Sequence, residues 1–145
     1  MDLANDYFSE QDGVRFAGVH LLLDLWGSAL LDDPAAIELA LTQAAQAARA
    51  TVLSASFHRF ASSGGVSGVL LLAESHISIH TWPERHYAAI DIFMCGDCNP
   101  QQAVPTIEAH FKPARLVVSP HRRGVLSPES QPVLRSPAAM PLIEM

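Results

Sequence analysis

Residues 73–84 read AESHISIHTWPE, and this stretch combines the alternation of a β-strand with several reactive side chains. Ile77 and Ile79 alternate with polar residues until Pro83 ends the pattern, which predicts a strand whose isoleucines face the core. The apolar run 66–73 has the length of a buried strand, so the two strands should form a hairpin. The pattern alone leaves open whether the two histidines are ordinary surface residues or parts of a functional site.

The predicted hairpin turns at Glu74 and Ser75, so a serine stands next to the second strand. The residues around Ser75 lack the G-x-S-x-G pattern that exposes the nucleophile of many hydrolases, which argues against a hydrolase. A serine in a strained turn that follows a carbonyl has another option, because it can attack its own backbone.

The composition predicts one soluble globular domain. The chain has 145 residues, of which 49% are hydrophobic, enough for a single core. Its apolar runs are shorter than the roughly 18 residues of a membrane span, and the acidic residues in 1–11 do not match a signal peptide. The net charge of −6 argues against a nucleic-acid surface. We therefore expect a cytoplasmic protein that binds neither membranes nor nucleic acid.

Helix caps and apolar runs predict the remaining elements. Asp33 and Pro34 suit the start of a helix that extends to Ala50, and Asn99 with the proline after it suits a second helix that ends near Phe111. The predicted strands comprise residues 14–26, 51–60, 66–73, 76–82, 87–95 and 115–119. This order predicts an α+β fold, a two-layer sandwich in which a mostly antiparallel sheet carries two helices on one face.

Three segments are expected along the chain. Residues 1–13 form an N-terminal extension without regular structure, and residues 14–126 form the single domain. Residues 127–145 form a tail in which repeated prolines preclude regular structure.

A sheet with helices on one face leaves its other face uncovered. Tyr87, Phe93 and the strand 66–72 would give that face more apolar surface than a monomer normally exposes. We therefore expect a homodimer in which two sheets pack face to face in an αββα arrangement.

Two spacings resemble those of zinc ligands. Cys95 and Cys98 form a C-x2-C pair, and His76 and His80 form an H-x3-H pair. In an extended strand, however, the two imidazoles would lie roughly 13 Å apart, too far to share one metal ion. No metal site is therefore predicted, and a non-catalytic metal-binding module is kept as a distant alternative.

Four segments together resemble the bacterial and archaeal S-adenosylmethionine decarboxylase proenzymes. The resemblance extends from about His20 to Gly124, is strongest over 56–96, and fades in the N-terminal extension and the tail. The segments that carry it are SFHRF (56–60), GVSGV (65–69), ESHISIHTWPE (74–84) and YAAIDIFMCG (87–96).

The resemblance implies an enzyme that makes its cofactor from its own chain. Ser75 would attack the Glu74 carbonyl to form an ester, and β-elimination would split the protein into chains 1–74 and 75–145. Ser75 would become a pyruvoyl group, which forms a Schiff base with the substrate amine and accepts electrons as carbon dioxide leaves.

The resemblance also implies roles for further residues. Ser67 and His80 would act in processing, with His80 accepting the Ser75 α-proton, and Cys95 would donate a proton during decarboxylation. Phe60 would stack on the adenine and Glu84 would bind the ribose hydroxyls.

The chain departs from the family pattern at two places in the binding region. Asp24, a candidate substrate-binding residue, stands where a Glu is usual, and Arg85 with His86 follows Pro83-Glu84 where an aromatic residue and a Gly are commoner. The resulting hypothesis is an S-adenosylmethionine decarboxylase that serves spermidine biosynthesis. A pyruvoyl-dependent decarboxylase of ornithine or arginine is the alternative.

Overall fold

A six-stranded antiparallel sheet with two α-helices on one face dominates the computed structural model, which describes residues 8–126. The sheet order is β4-β5-β6-β7-β3-β8, and a separate hairpin of β1 and β2 precedes it. The strands are β1 Ser9–Gln11, β2 Val14–Phe16, β3 Gly18–Trp26, β4 Val52–Arg59, β5 Val66–Leu72, β6 Ser75–Trp82, β7 Tyr87–Cys95 and β8 Arg115–Arg123. This architecture confirms the predicted α+β sandwich. None of the helices within residues 8–126 is long and apolar enough to cross a membrane.

The first helix, α1 Pro34–Ala47, begins where its cap was predicted. The Asp33 carboxylate accepts a hydrogen bond from the Ala36 amide, and Pro34 occupies the first turn. The helix ends earlier than the predicted Ala50, because Arg49 adopts the left-handed conformation with φ 64°.

The second helix, α2 Val104–Phe111, follows a 3-10 turn, Pro100–Ala103. The Asn99 side chain caps this turn by accepting a hydrogen bond from the Gln101 amide. The predicted second helix therefore consists of a 3-10 turn followed by a shorter α-helix.

The core lies between the sheet and the two helices. Ile77 and Ile79 of β6 are fully buried there, as their alternation predicted, beside Ile90 and Ile92 of β7. Because side chains alternate along a strand, the residues between them point to the opposite face of the sheet. That face is not covered by any helix of the described part of the chain, and we call it the open face.

Three features differ from the sequence-based expectations. The predicted strand 14–26 is divided at residue 17 into β2 and β3, which belong to different sheets. The extension is not devoid of regular structure, because β1 pairs with β2 across a turn at Asp12 and Gly13, both with positive φ. β8 extends to Arg123 instead of ending at residue 119. It continues through Pro120 because it is an edge strand, where a missing amide donor is tolerated. The predicted tail, 127–145, and residues 1–7 lie outside the described residues.

Candidate active site

The turn between β5 and β6 holds a strained serine next to a fixed carbonyl. Ser75 has φ 140°, a conformation that residues with a side chain rarely adopt. The Glu74 carbonyl accepts a hydrogen bond of 3.0 Å from the Cys95 amide, and the Glu74 carboxylate accepts one of 2.9 Å from the Thr51 amide. Glu74 is therefore held at both its backbone and its side chain, and its carbonyl is polarised.

A cavity of about 440 Å³ opens beside Ser75 on the open face. Its wall combines two apolar side chains with two histidines and one arginine. The lining residues are His20, Leu71, Ser75, His76, Phe93 and Arg123.

Asp91 of β7 is the centre of a polar network that holds the two histidines of this cavity wall. Its Oδ2 atom lies 2.6 Å from Nε2 of His20 and 3.0 Å from Nε2 of His76, and its Oδ1 atom accepts a hydrogen bond from Ser78. Burial alone would raise the pKa of Asp91, but the hydrogen bonds from Ser78, His20 and His76 outweigh burial and lower it. Asp91 is therefore a carboxylate that accepts from all three neighbours.

Arg123 determines which nitrogen of His20 carries the proton. The guanidinium can only donate, so Nδ1 of His20, which lies 3.1 Å from it, must accept. His20 is therefore protonated at Nε2 and donates from that atom to Asp91. Because an ionised carboxylate only accepts, His76 also donates to Asp91 from Nε2.

The same three residues are the one candidate set of metal ligands within residues 8–126. Ligand atoms of His20, His76 and Asp91 all lie within 4.8 Å of one another. A metal ion on Nε2 of His20 would leave the proton on Nδ1, where it would face the Arg123 guanidinium. The arrangement therefore favours a hydrogen-bonded network over a metal site, and the two cysteines do not join it.

A second polar pair lies near the other end of β5 and β6. Oγ of Ser67 and Nδ1 of His80 are 2.9 Å apart on neighbouring strands. Phe60, 46% exposed, follows β4, and its amide donates to the Gly65 carbonyl just before β5 begins. Glu84 lies in the 3-10 turn Pro83–Arg85, which follows β6.

The predicted site residues therefore fall into two groups within one chain. His80 lies five residues after Ser75 in an extended strand, a separation of about 16 Å at about 3.3 Å per residue. The first group, which we call the cleavage group, contains Glu74, Ser75 and Cys95. The second, which we call the binding group, contains Phe60, Ser67, His80 and Glu84.

Asp24, the remaining predicted residue, accepts a hydrogen bond of 2.5 Å from the Tyr87 hydroxyl. Burial, followed by the hydrogen bond to Asp24 and its charge, raises the pKa of Tyr87 to about 12. The Tyr87 ring also stacks on Trp26, with 4.3 Å between ring centroids, and contacts Trp82. Asp24 is thus anchored in an aromatic cluster at the end of the sheet.

Sequence reasoning did not identify His20, Asp91 or Arg123 as site residues. A usable signal was present, because each of His20 and Asp91 interrupts an otherwise apolar strand. Which neighbours they contact depends on the strand order, which the spacing along the chain does not give.

Large apolar side chains surround these polar groups on the open face. Each is more than a third exposed, which is unusual for a set lying on one sheet. They are Leu22, Trp26, Val69, Leu71 and Trp82.

Comparisons with known proteins agree on one family. Residues 19–124 match the family model described as S-adenosylmethionine decarboxylase. An S-adenosylmethionine decarboxylase proenzyme of Methanococcus maripaludis strain S2 is 46% identical over 112 residues, covering 75% of this chain and 91% of the relative. One from Thermomicrobium roseum is 41% identical over 114 residues, covering 78% and 98%. The crystal structure of the adenosylmethionine decarboxylase from Aquifex aeolicus superposes with a TM-score of 0.67 and 35% identity, covering 81% of this chain and 98% of that chain.

Proposed function

Since the chain belongs to the S-adenosylmethionine decarboxylase family, we propose that it is a proenzyme that cleaves itself between Glu74 and Ser75 and then decarboxylates S-adenosylmethionine. The observation that carries this proposal is the strained Ser75 beside a Glu74 carbonyl that accepts a hydrogen bond from Cys95.

The first step is an acyl shift within the chain. The Ser75 hydroxyl attacks the Glu74 carbonyl carbon, and the Cys95 amide stabilises the negative charge that develops on the carbonyl oxygen. The carbon–nitrogen bond breaks, the nitrogen gains a proton, and an ester joins the two residues. Loss of the Ser75 α-proton then eliminates the Glu74 carboxylate, separates the chains and leaves dehydroalanine at position 75. This group would tautomerise to an imine, and water would hydrolyse the imine to a pyruvoyl group with release of ammonia.

The new terminal pyruvoyl group would supply an electron-withdrawing carbonyl that binds the substrate amine and accepts electrons as carbon dioxide leaves. The surroundings of Ser75 fit such a group, because the cavity beside it offers hydrogen-bonding side chains and apolar walls. The Cys95 thiol would donate the proton that the decarboxylated product requires. Cys98 is less suited, because burial and the charges of Glu74, Cys95 and Asp97 raise its pKa and its thiol donates to the Arg49 carbonyl.

The distance between the cleavage group and the binding group supports a homodimer. His80 is about 16 Å from Ser75 in one chain, too far to take its α-proton. If two open faces pack about a two-fold axis that runs across the strands, the binding group of one protomer lies against the cleavage group of the other. The exposed apolar side chains of the open face supply the contact.

S-adenosylmethionine is favoured over ornithine and arginine as the substrate, because the relatives and the structural neighbour carry its name. Phe60 would stack on the adenine, where the nearby sulfonium gains about 0.5–2 kcal/mol of cation–π attraction. Glu84 would accept from the ribose hydroxyls, and the enzyme would act in the cytoplasm.

Mass spectrometry of the purified chain tests the proposal. Under denaturing conditions the protein should separate into fragments 1–74 and 75–145, whereas Ser75→Ala should remain intact. Release of carbon dioxide should be observed from S-adenosylmethionine and not from ornithine or arginine. A wild-type chain that stays whole, with an unmodified Ser75, would refute self-cleavage.

A further inference from the structure

The first proton transfer of self-cleavage needs a base that the roles above do not supply. Ser75 must lose its hydroxyl proton as its oxygen attacks the Glu74 carbonyl. His80 is assigned to a later step, removal of the α-proton. A second base at Ser75 would therefore complete the reaction.

His76 has the surroundings of such a base. It directly follows Ser75 and lines the same cavity. Its Nε2 atom is engaged by Asp91, while Nδ1 makes no hydrogen bond to any residue of the described chain. An imidazole held at one nitrogen by a partly buried carboxylate, with the other nitrogen free, resembles the arrangement that activates serine nucleophiles in hydrolases.

The other histidine of the cavity lacks a free nitrogen. His20 accepts from Arg123 at Nδ1 and donates to Asp91 at Nε2. It therefore has no nitrogen with which to accept a proton from Ser75. Its contacts instead fix the position of Asp91.

We propose that His76 is the general base that activates Ser75 for self-cleavage, and that Asp91, His20 and Arg123 are positioning residues for it. This inference rests on the proposed function. Nδ1 of His76 takes the hydroxyl proton as the bond from Ser75 oxygen to Glu74 carbon forms. The same proton passes to the Ser75 nitrogen as the carbon–nitrogen bond breaks, so the products are an ester and a free amine, and no other reactant is needed.

Hydroxylamine distinguishes the two histidines, because it cleaves esters and leaves peptide bonds intact under mild conditions. His76→Gln should slow cleavage by about 10²–10⁴-fold, and hydroxylamine should not accelerate it, because no ester forms. His80→Ala should accumulate the ester, so hydroxylamine should cut it rapidly and leave a hydroxamate on Glu74. Asp91→Asn should behave like His76→Gln, which a merely structural role would not produce.

Two further variants control for folding. His76→Ala should regain cleavage when imidazole is added, because the open cavity can admit it. His110→Gln changes a histidine of α2, on the helical side of the sheet, that hydrogen-bonds to Gln43, and should cleave as the wild type does. Melting curves should show that each variant is folded.

Three results would overturn the inference while leaving the proposed function intact. They are cleavage of His76→Gln at the wild-type rate, rapid cutting of His76→Gln by hydroxylamine, and a folded His76→Ala chain that imidazole does not rescue. A wild-type chain that never cleaves would instead refute the proposed function itself.

Discussion

The Cys95 amide donates a hydrogen bond of 3.0 Å to the Glu74 carbonyl. This bond links the end of β7 to the turn between β5 and β6. Cys95 is also the proposed proton donor in decarboxylation, a task for its thiol. The residue would thus act twice, first through its backbone and later through its side chain. Because a side-chain substitution leaves the amide in place, the two roles can be separated.

Cys95→Ala should therefore keep self-cleavage and lose most decarboxylation. Loss of a positioned acid typically costs 10²–10⁴-fold in rate, whereas the hydrogen bond to Glu74 is retained. Mass spectrometry measures the first reaction and carbon dioxide release the second. After turnover, a fraction of the 75–145 fragment should begin with alanine, because the proton is delivered to the wrong carbon.

Cys98→Ala is the matched control for this experiment. Its thiol donates to the Arg49 carbonyl and its pKa is raised, so both reactions should continue near the wild-type rate. If Cys98→Ala lost both reactions while Cys95→Ala kept normal turnover, the proton donor would have been assigned to the wrong cysteine.

Asp24→Asn should lower the pKa of Tyr87. Burial is the largest cause of its rise to about 12, and the hydrogen bond and charge of Asp24 add to burial. Near pH 11 most of the wild-type phenol keeps its proton, because its pKa is about 12, whereas the variant should ionise at lower pH. The phenolate absorbance near 295 nm reports this titration, and Tyr87→Phe identifies the signal. An unchanged titration would show that the charge of Asp24 has no influence on Tyr87.

The central hairpin could be predicted because the apolar residues that alternate along its second strand are the ones whose side chains are buried. Ile77 and Ile79 were expected to face the core, and both are fully buried. The start of the first helix could also be predicted, because the Asp33 cap and the following proline determine the helix start through contacts within the first turn. Such local signals, taken in order, were enough to predict the α+β sandwich.

Features that depend on strand order were not predictable in the same way. β8 continues through Pro120 because it lies at the edge of the sheet, a position that its own sequence does not reveal. His20 reaches Asp91 across 71 residues because β3 pairs with β7. The N-terminal hairpin is a different case, because its turn residues, Asp12 and Gly13, are a local signal that the sequence itself contains.

A charge on the open face should prevent dimerisation. Leu22 and Val69 lie on that face with 45% and 38% exposure, and a Glu at either position would be buried without a partner in the proposed interface. Sedimentation should show Leu22→Glu and Val69→Glu as monomers. Because His80 would then lack a partner's Ser75, both variants should also stall before chain separation.

Leu39→Glu is the control for the dimer experiment. Leu39 is 54% exposed, but it lies on α1, on the helical side of the sheet. This variant should sediment as the wild type does and cleave normally. A wild type that is monomeric and fully active would contradict the proposed assembly.

Two inactive variants should restore cleavage when they share one dimer. Ser75→Ala lacks the nucleophile and His80→Ala lacks the proposed α-proton acceptor, so neither should separate into fragments alone. In a mixed dimer, the His80→Ala chain keeps its own Ser75 and faces the intact His80 of the partner. Co-expression with different affinity tags should therefore yield fragments of the His80→Ala chain alone.

A double variant, Ser75→Ala with His80→Ala, controls for nonspecific effects of mixing. Paired with it, the His80→Ala chain again lacks an acceptor and should remain whole. If His80 acted within its own chain, neither pairing would yield fragments, because the chain that carries Ser75 would always lack the histidine. Cleavage in the first pairing and its absence in the second would show that the 16 Å separation, about five residues of extended strand, is bridged by the partner protomer.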